Sequence, residues 1–202
     1  MLAVLDYGIG NLRSAEKALQ RVGADAHLVA DPEVAARAEG VVLPGVGAFG
    51  PCMEELRRSR LDQVALDAVR RAKPFLGICI GMQMLYEASE EAPGVAGLGI
   101  LPGVVRELPR EVKRPQMQWN LLQPVRPSPL LVGLGAEPWC YFVHSYAPDA
   151  SDDVIATCDY GGSVVAAVER ERVWATQFHP EKSGDTGLRL LANFVAICTG
   201  ES

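Results

Sequence analysis

Residues 75–83 read FLGICIGMQ, an apolar run followed by a cysteine that stands between two glycines. The run 75–78 is short and apolar throughout, which is typical of a strand buried on both faces of a parallel sheet. Cys79 comes directly after it, and we predict a helix from there through Leu85 and Ala88. A sharp turn between a buried strand and a helix is the local pattern of a doubly wound α/β fold.

The chain before this stretch alternates between strand and helix patterns. Short apolar runs at Leu2–Leu5, His27–Ala30 and Val41–Leu43 predict three further strands. Helical spacing of apolar residues over Leu12–Val22 and Met53–Ala72 predicts helices between them. Strands that alternate with helices in this way predict a parallel sheet covered on both faces.

The second half of the chain has more proline and more extended runs. We predict strands there, some of them paired antiparallel, and an amphipathic helix over Asp185–Cys198. The extended runs are Val104–Leu108, Trp139–Tyr146, Val154–Tyr160, Val164–Glu169 and Val173–Phe178. The predicted fold class is therefore α/β, a single domain over residues 1–202 with a largely parallel central sheet flanked by helices and additional antiparallel strands in the second half.

The composition indicates a globular protein without an electrostatic signature for nucleic acid. Apolar residues make up 49% of the 202 residues, and the net charge is -6 with the basic residues scattered. We therefore expect no nucleic acid and no membrane as partners. The longest nearly apolar stretch, Phe75–Tyr86, is shorter than the roughly 20 residues of a membrane-spanning helix. The N-terminus lacks a signal-peptide pattern, so we expect a cytoplasmic location.

Cysteine supplies the candidate nucleophile. The chain has 5 cysteines at wide spacing, which predicts neither a disulfide framework nor a metal site. Cys79 is placed differently from the other four, because a helix N-terminus and a neighbouring imidazole would favour its thiolate form. The alternative is a small apolar side chain that merely fits a tight strand end.

His179 is the preferred base among the 3 histidines. It follows the apolar run Val173–Phe178, and parallel α/β sheets collect reactive groups at the carboxyl ends of their strands. Pro180 fixes the backbone, and the carboxylate of Glu181 can then hold the second ring nitrogen. These residues predict a triad with Cys79, although an ordinary strand-to-loop turn is the alternative for the tripeptide alone.

The turn Pro44–Gly47 also ends an apolar strand. Its two glycines allow backbone N–H groups to turn toward a developing oxyanion. The alternative is a plain Gly-rich turn that opens a helix.

Two other features of the sequence give weaker evidence for a cofactor site or a catalytic role. The segment Gly8–Arg13 resembles the start of a dinucleotide-binding loop, but Arg13 stands where close packing needs a third glycine. We therefore expect no cofactor. His144 lies in an aromatic strand, where a histidine is usually structural, although it could still line a site.

Together these motifs resemble the class I glutamine amidotransferases. That family carries Gly-x-Cys-x-Gly-x-Gln and a distant His-Pro-Glu preceded by Gln-Phe, and both stand intact at residues 77–83 and 177–181. The flanks Asp6–Leu12, Pro44–Phe49 and Met117–Asn120 resemble one branch of the family, the glutaminase subunits of imidazole glycerol phosphate synthases. The resemblance covers essentially the whole length of the chain.

The resemblance implies a role for each matching residue. Cys79 would attack the carboxamide of glutamine, His179 would protonate the leaving ammonia, and Glu181 would orient the imidazole. Gly45 and Val46 would supply the oxyanion turn. The amino-acid end of glutamine would be held by Gln83 and by the backbone around His144, Ser145 and Tyr146.

The resemblance also implies a partner. Ammonia would pass to a (β/α)8 cyclase subunit in a heterodimer. The interface or gate would include Asn11, Met117, Trp119, Tyr141 and Lys182. The sequence departs from the family there, because Gln116 and Gln118 stand where His and Gly are common.

Three other functions are compatible with parts of the pattern. The first is the glutaminase subunit of another amidotransferase, for anthranilate or pyridoxal phosphate synthesis, but those subunits differ in the oxyanion turn or in the Asp-Tyr-Gly-x-Gly-Asn opening. The second is a cysteine hydrolase or stress protein of related architecture, in which His commonly follows the nucleophile, whereas this chain has Ile80. The third is a catalytically idle binding module.

Overall fold

Strands and helices alternate through the first half of the chain in the computed structural model, which describes residues 1–200. The helices are α1 (Leu12–Arg21), α2 (Pro32–Ala35), α3 (Phe49–Arg58), α4 (Leu61–Arg70), α5 (Ile80–Gln83) and α6 (Gly184–Thr199). The strands are β1 (Leu2–Leu5), β2 (Ala26–Val29), β3 (Gly40–Gly45), β4 (Phe75–Cys79), β5 (Ala88–Ser89), β6 (Val104–Glu107), β7 (Gln116–Leu121), β8 (Gln123–Pro124), β9 (Trp139–His144), β10 (Tyr146–Pro148), β11 (Val154–Asp159), β12 (Ser163–Arg170) and β13 (Val173–Thr176). Short 3-10 turns lie at Pro129–Leu131 and Pro180–Lys182.

Eight strands form the central sheet, in the order β2-β1-β3-β4-β13-β12-β11-β8. Neighbours from β2 to β13 run parallel, and β12, β11 and β8 extend the sheet antiparallel. A three-stranded sheet, β10-β6-β5, and an antiparallel pair, β7-β9, complete the described part of the chain. The predicted α/β class with antiparallel additions is confirmed.

The four central parallel strands of this sheet are buried along their whole length. Every residue of β1, β3, β4 and β13 is buried, as their apolar runs predicted. Helix α1 turns Leu12, Ala15, Ala18 and Leu19 inward at helical spacing. Since apolar burial is the main stabilising contribution to folding, this core holds the strand ends in fixed positions.

Two helix predictions are wrong in extent. The stretch Met53–Ala72 forms two helices, α3 and α4, because Arg60 between them has a left-handed backbone with φ 60°. The helix after Cys79 lasts one turn, and Ala88 lies in β5. The chain leaves the helix there because the carbonyl oxygens of residues 84 and 85 accept hydrogen bonds from the amides of residues 98, 100 and 101.

The second half also differs in detail from the predicted strands. The run Trp139–Tyr146 is divided at Ser145 into β9 and β10, which belong to different sheets. The run Val173–Phe178 ends as a strand at Thr176. Strand β7 was not predicted, because its alternating glutamines give a weak apolar signal, and it is defined by pairing with β9.

The turn between β4 and α5 packs against β3 too closely for a side chain. A Cβ atom built on Gly81 would lie 1.8 Å from the carbonyl oxygen of Leu43. One built on Gly77 would lie 3.0 Å from the carbonyl oxygen of Gly81. Glycine at position 81 is therefore a requirement of the fold.

We expect Gly81→Ala to lower the free energy of unfolding by more than about 2 kcal/mol, because the added methyl group collides with the backbone of β3. Urea denaturation measures this quantity. Gly50→Ala is a matched control, since Gly50 lies in α3 and a Cβ atom there would meet only the side chain of Ala92, at 3.3 Å, and no backbone atom outside its helix. Equal unfolding free energies for Gly81→Ala and the unchanged protein would contradict the close packing.

Candidate active site

Three neighbouring parallel strands end at one edge of the central sheet. The order β3-β4-β13 brings together the turn Pro44–Gly47, Cys79 and the segment that carries His179. The strand register pairs Gly45 directly with Cys79. Reactive groups collect at such an edge in α/β folds. The structure thus unites three features that lie far apart in the sequence.

Cys79 has an unusual backbone conformation. Its φ of 56° and ψ of -112° lie in a region that residues with side chains rarely adopt. The close packing at Gly77 and Gly81 maintains this conformation. The residue is 3% exposed, and its sulfur lies 3.8 Å from Nε2 of Gln177. A strained turn of this kind between a strand and a helix has the geometry of a nucleophile elbow.

Hydrogen bonds hold both the ring and the backbone of His179. Its Nδ1 lies 2.7 Å from Oε1 of Glu181, and both side chains are almost fully buried. Its amide donates to the carbonyl oxygen of Tyr141 at 3.0 Å, and its own carbonyl accepts from the Ser183 hydroxyl at 2.6 Å. The carboxylate therefore fixes the ring so that Nε2 is the nitrogen available for chemistry.

The electrostatics of the imidazole favour its protonated form. Burial lowers the pKa of His179, but the Cys79 thiol and the Glu181 carboxylate outweigh it and raise this pKa to about 9. The Nε2 atom of His179 has no aligned hydrogen-bond partner among residues 1–200. Such loose nucleophile-to-base geometry is common in unliganded enzymes. The three groups can act as nucleophile, acid–base and orienting carboxylate.

A cavity of about 530 Å³ opens over these groups. Its volume lies within the usual range for a small-molecule site. Its lining includes Cys79 and His179 of the triad. The other predicted site residues that line it are Asn11, Val46, Gln83, His144, Ser145, Tyr146 and Lys182.

Gln83 presents an acceptor at this cavity. Its side-chain Nε2 donates to the carbonyl oxygen of Tyr146 and to Oε1 of Gln177, both at 3.0 Å. Its own Oε1 is buried and has no hydrogen-bond partner in the described part of the chain. The side chain is therefore oriented by its donors, and its carbonyl oxygen remains available to accept.

His144 lines the same cavity in a neutral state. Burial and, to a smaller extent, the charge of the nearby His179 lower its pKa to about 4, although the hydrogen bond between Nδ1 and the carbonyl oxygen of Tyr146 at 2.8 Å acts in the opposite direction. A neutral imidazole at physiological pH cannot serve as the acid. This accords with a lining role for His144.

Two residues at the site were missed by the sequence analysis. Glu91 lines the cavity, and its Oε2 accepts from the amide of Phe49 at 2.8 Å. Gln177 lies between Gln83 and the Cys79 thiol. Gln177 had a signal, because it precedes the His-Pro-Glu tripeptide, whereas Glu91 stands in an acidic stretch with no distinguishing pattern.

Apolar and aromatic side chains lie exposed beside the cavity. Met117 and Trp119 in β7 are 62% and 49% exposed. Trp119 packs edge to face on Tyr141 of β9 with ring centroids 6.2 Å apart, and Lys182 Nζ lies 5.9 Å from the Tyr141 ring centroid. Trp139, which the sequence analysis did not select, is 46% exposed on the same pair of strands. Met117, Trp119, Tyr141 and Lys182 therefore lie close together, and Asn11 lines the cavity with Lys182.

Residues 1–200 show neither a metal-ligating cluster nor a membrane-spanning helix. No group of three or more His, Cys, Asp or Glu side chains in that range could hold a metal ion. Within the same range, no helix has the length and apolarity needed to cross a membrane.

Comparison with known proteins decides the family. Residues 3–198 match the family model described as glutamine amidotransferase class-I. The chain belongs to the class I glutamine amidotransferases. The resemblance seen in residues 77–83 and 177–181 is thereby confirmed.

Relatives of this amidotransferase match it along their whole length. The protein named imidazole glycerol phosphate synthase subunit HisH from Salinibacter ruber is 50% identical over 210 residues, covering 100% of this chain and 96% of the relative. The protein of the same name from Methanothermobacter thermautotrophicus is 49% identical, with 98% of each chain covered.

Solved structures share the amidotransferase fold. A crystal structure described as a glutamine amidotransferase has a TM-score of 0.79 at 22% identity and covers 98% of both chains. The glutaminase domain of Trypanosoma brucei CTPS has a TM-score of 0.69 at 16% identity, covering 98% of this chain and 93% of that one. At these identities the likeness concerns the fold.

We expect Glu181→Gln to lower the pKa of His179 by about 1 to 3 units, because the substitution removes a negative charge from Nδ1. NMR titration of the histidine ring protons measures the change. The ring is protonated below its pKa, so the variant loses its imidazolium at a lower pH than the unchanged protein. Glu90→Gln is the matched control, because Glu90 is paired with Arg106 on the surface. An unchanged His179 titration in Glu181→Gln would refute this coupling.

Proposed function

We propose that this amidotransferase hydrolyses glutamine to glutamate and ammonia as the glutaminase subunit of an imidazole glycerol phosphate synthase, in histidine biosynthesis. The observation that carries the proposal is the buried arrangement of Cys79, His179 and Glu181 at a cavity of about 530 Å³. The names and full-length identities of the relatives support the assignment to this synthase. We propose further that residues 1–202 form one amidotransferase domain and that the protein acts in the cytoplasm.

In the proposed reaction, the Cys79 thiolate attacks the carboxamide carbon of glutamine. The carbon–nitrogen bond then breaks, and the proton on Nε2 of His179 goes to the leaving nitrogen, which departs as ammonia. Water next attacks the thioester with His179 as base and releases glutamate. Glu181 keeps the imidazole oriented and stabilises its cationic form in both steps of the reaction.

An oxyanion forms in each of the two steps of the proposed reaction. It would bind to the backbone N–H groups of Gly45 and Val46 in the turn Pro44–Gly47, which we call the oxyanion turn. Gly45 is paired in register with Cys79, and Val46 lines the cavity. Backbone donors held at this point act on charge that develops in the transition state, so they raise kcat.

The two charged ends of glutamine would bind at the other side of the cavity. The unpartnered Oε1 of Gln83 and the carboxylate of Glu91 are acceptors suited to the ammonium group. The backbone around His144, Ser145 and Tyr146 lines the cavity and would take the carboxylate.

Ammonia produced in this cavity needs a protected exit. We propose that a (β/α)8 cyclase subunit covers the exposed surface formed by Met117, Trp119, Tyr141 and Lys182, with Asn11 at the cavity edge, and makes a heterodimer. The exposed apolar and aromatic side chains support an interface there. Gln116, where the family commonly has His, is fully buried and lies opposite His144, away from the exposed Met117.

Cys79→Ala should abolish glutamine-dependent synthesis by the assembled complex and lower kcat by about 10⁴ or more, because the attacking sulfur is lost. Synthesis from added ammonium salt should survive. Assays with glutamine and with ammonium chloride distinguish the two. Cys198→Ala is the matched control, since Cys198 lies beside Gly40 at the opposite end of β3. Residual glutamine-dependent turnover in Cys79→Ala near the wild-type rate would eliminate Cys79 as nucleophile.

Trp119→Ala should weaken binding of the cyclase subunit by about 2 kcal/mol, because a large aromatic side chain at the centre of an interface contributes strongly to affinity. Isothermal titration calorimetry with the purified cyclase measures this. Val132→Ala serves as control, because Val132 is 63% exposed outside the β7-β9 pair. The proposed surface is wrong if the two variants bind the cyclase equally well.

A further inference from the structure

Two buried side chains outside the triad contact the oxyanion turn. The Tyr7 hydroxyl donates to the carbonyl oxygen of Pro44 at 2.8 Å, and the Cys52 thiol donates to the carbonyl oxygen of Val46 at 3.4 Å. Tyr7 follows β1 and Cys52 lies in α3, so the two donors come from separate elements. They are 2% and 0% exposed. The two carbonyls that they hold stand on either side of the peptide between Gly45 and Val46.

Both side chains are neutral donors at physiological pH. Burial raises the pKa of the Cys52 thiol to about 11 and also raises the pKa of the Tyr7 hydroxyl. A protonated hydroxyl and a protonated thiol can each donate to a carbonyl oxygen.

The fit around the turn leaves little space for rearrangement. A Cβ atom built on Gly45 would lie 2.8 Å from the Tyr7 hydroxyl oxygen and 2.9 Å from the amide nitrogen of Gly81. The turn is therefore enclosed between Tyr7 on one side and the turn that follows Cys79 on the other. Gly47, with φ 98°, then redirects the chain into α3.

We propose that Tyr7 and Cys52 are positioning residues for the oxyanion turn. The Pro44 carbonyl shares a peptide unit with the Gly45 N–H group, and the Val46 carbonyl shares one with the Gly47 N–H group. Tyr7 thus fixes the direction of the Gly45 N–H group, and the two side chains together hold the peptides on either side of the one that carries the Val46 N–H group. A peptide unit is planar, so fixing its carbonyl also fixes its N–H group on the opposite side. Neither side chain lines the cavity. The inference rests on the proposed glutaminase function.

Tyr7 and Cys52 should stabilise the transition state and not the bound substrate, because the oxyanion is absent from bound glutamine. Removing a direct oxyanion donor costs about 10² to 10³ in rate, and a group that acts through the backbone should cost less. Loss of either donor should therefore lower kcat and leave KM for glutamine nearly unchanged.

The test uses the complete complex with the cyclase and its nucleotide ligand, with steady-state glutaminase kinetics as the readout. Tyr7→Phe removes the hydroxyl and keeps the ring, and we expect kcat to fall about 5- to 20-fold with KM within about twofold. Cys52→Ala should give a similar loss. Cys52→Ser restores a donor and should retain more activity than Cys52→Ala. Cys198→Ala controls for the loss of a thiol far from the turn.

A second measurement separates positioning from general damage to the site. Iodoacetamide alkylates a thiol by displacement at a saturated carbon, a reaction that forms no oxyanion. The rate of Cys79 alkylation, followed by mass spectrometry, should therefore be the same in Tyr7→Phe, Cys52→Ala and the unchanged protein. Thermal unfolding confirms that each variant is folded.

The proposal is overturned if Tyr7→Phe and Cys52→Ala keep the full kcat, or if KM rises while kcat stays constant. It is also overturned if Cys79 alkylation slows in parallel with kcat, or if Cys52→Ser is as inactive as Cys52→Ala. Failure of the unchanged complex to hydrolyse glutamine would instead refute the glutaminase function itself. The two failures are therefore distinguishable.

Discussion

The close approach of the turn after β4 to strand β3 constrains the whole active edge of the sheet. The backbone at Gly81 lies so near the carbonyl of Leu43 that no Cβ atom fits. This contact holds Cys79 in a strained conformation at the mouth of the cavity, and the strand register places Gly45 beside it. The backbone positions of Cys79 and of the oxyanion turn are therefore set by the same contact between β3 and the turn after β4.

The backbone of His179 is held by a separate set of hydrogen bonds, which extends to the exposed surface. The Ser183 hydroxyl oxygen accepts from the amide of Tyr141 at 2.9 Å and donates to the carbonyl of His179 at 2.6 Å. The amide of His179 in turn donates to the carbonyl of Tyr141. Tyr141 belongs to β9 and packs on Trp119. Strand β9, which contributes Tyr141 to the proposed cyclase surface, is therefore hydrogen-bonded directly to the backbone of His179.

The buried strands and the two strand-end motifs could be predicted from the sequence because each has one dominant physical cause, burial or turn geometry. The break at Arg60 could not, because the apolar spacing continues across it. The helix after Cys79 was overestimated because apolar periodicity does not reveal tertiary hydrogen bonds from a later segment. Glu91 reaches the cavity through its bond to Phe49, a contact that local sequence does not encode.

The two histidines at the cavity have opposite pKa shifts because their neighbours differ. His144 is buried and hydrogen-bonded to a neutral carbonyl, so burial dominates and its pKa falls to about 4. His179 is also buried, but it is hydrogen-bonded to the Glu181 carboxylate and lies close to Cys79, and its pKa rises to about 9. Between these two values one imidazole is neutral and the other charged. Opposite shifts of this kind assign acid and base roles within a single site, so in the proposed reaction His179, and not His144, would supply the proton to the leaving ammonia.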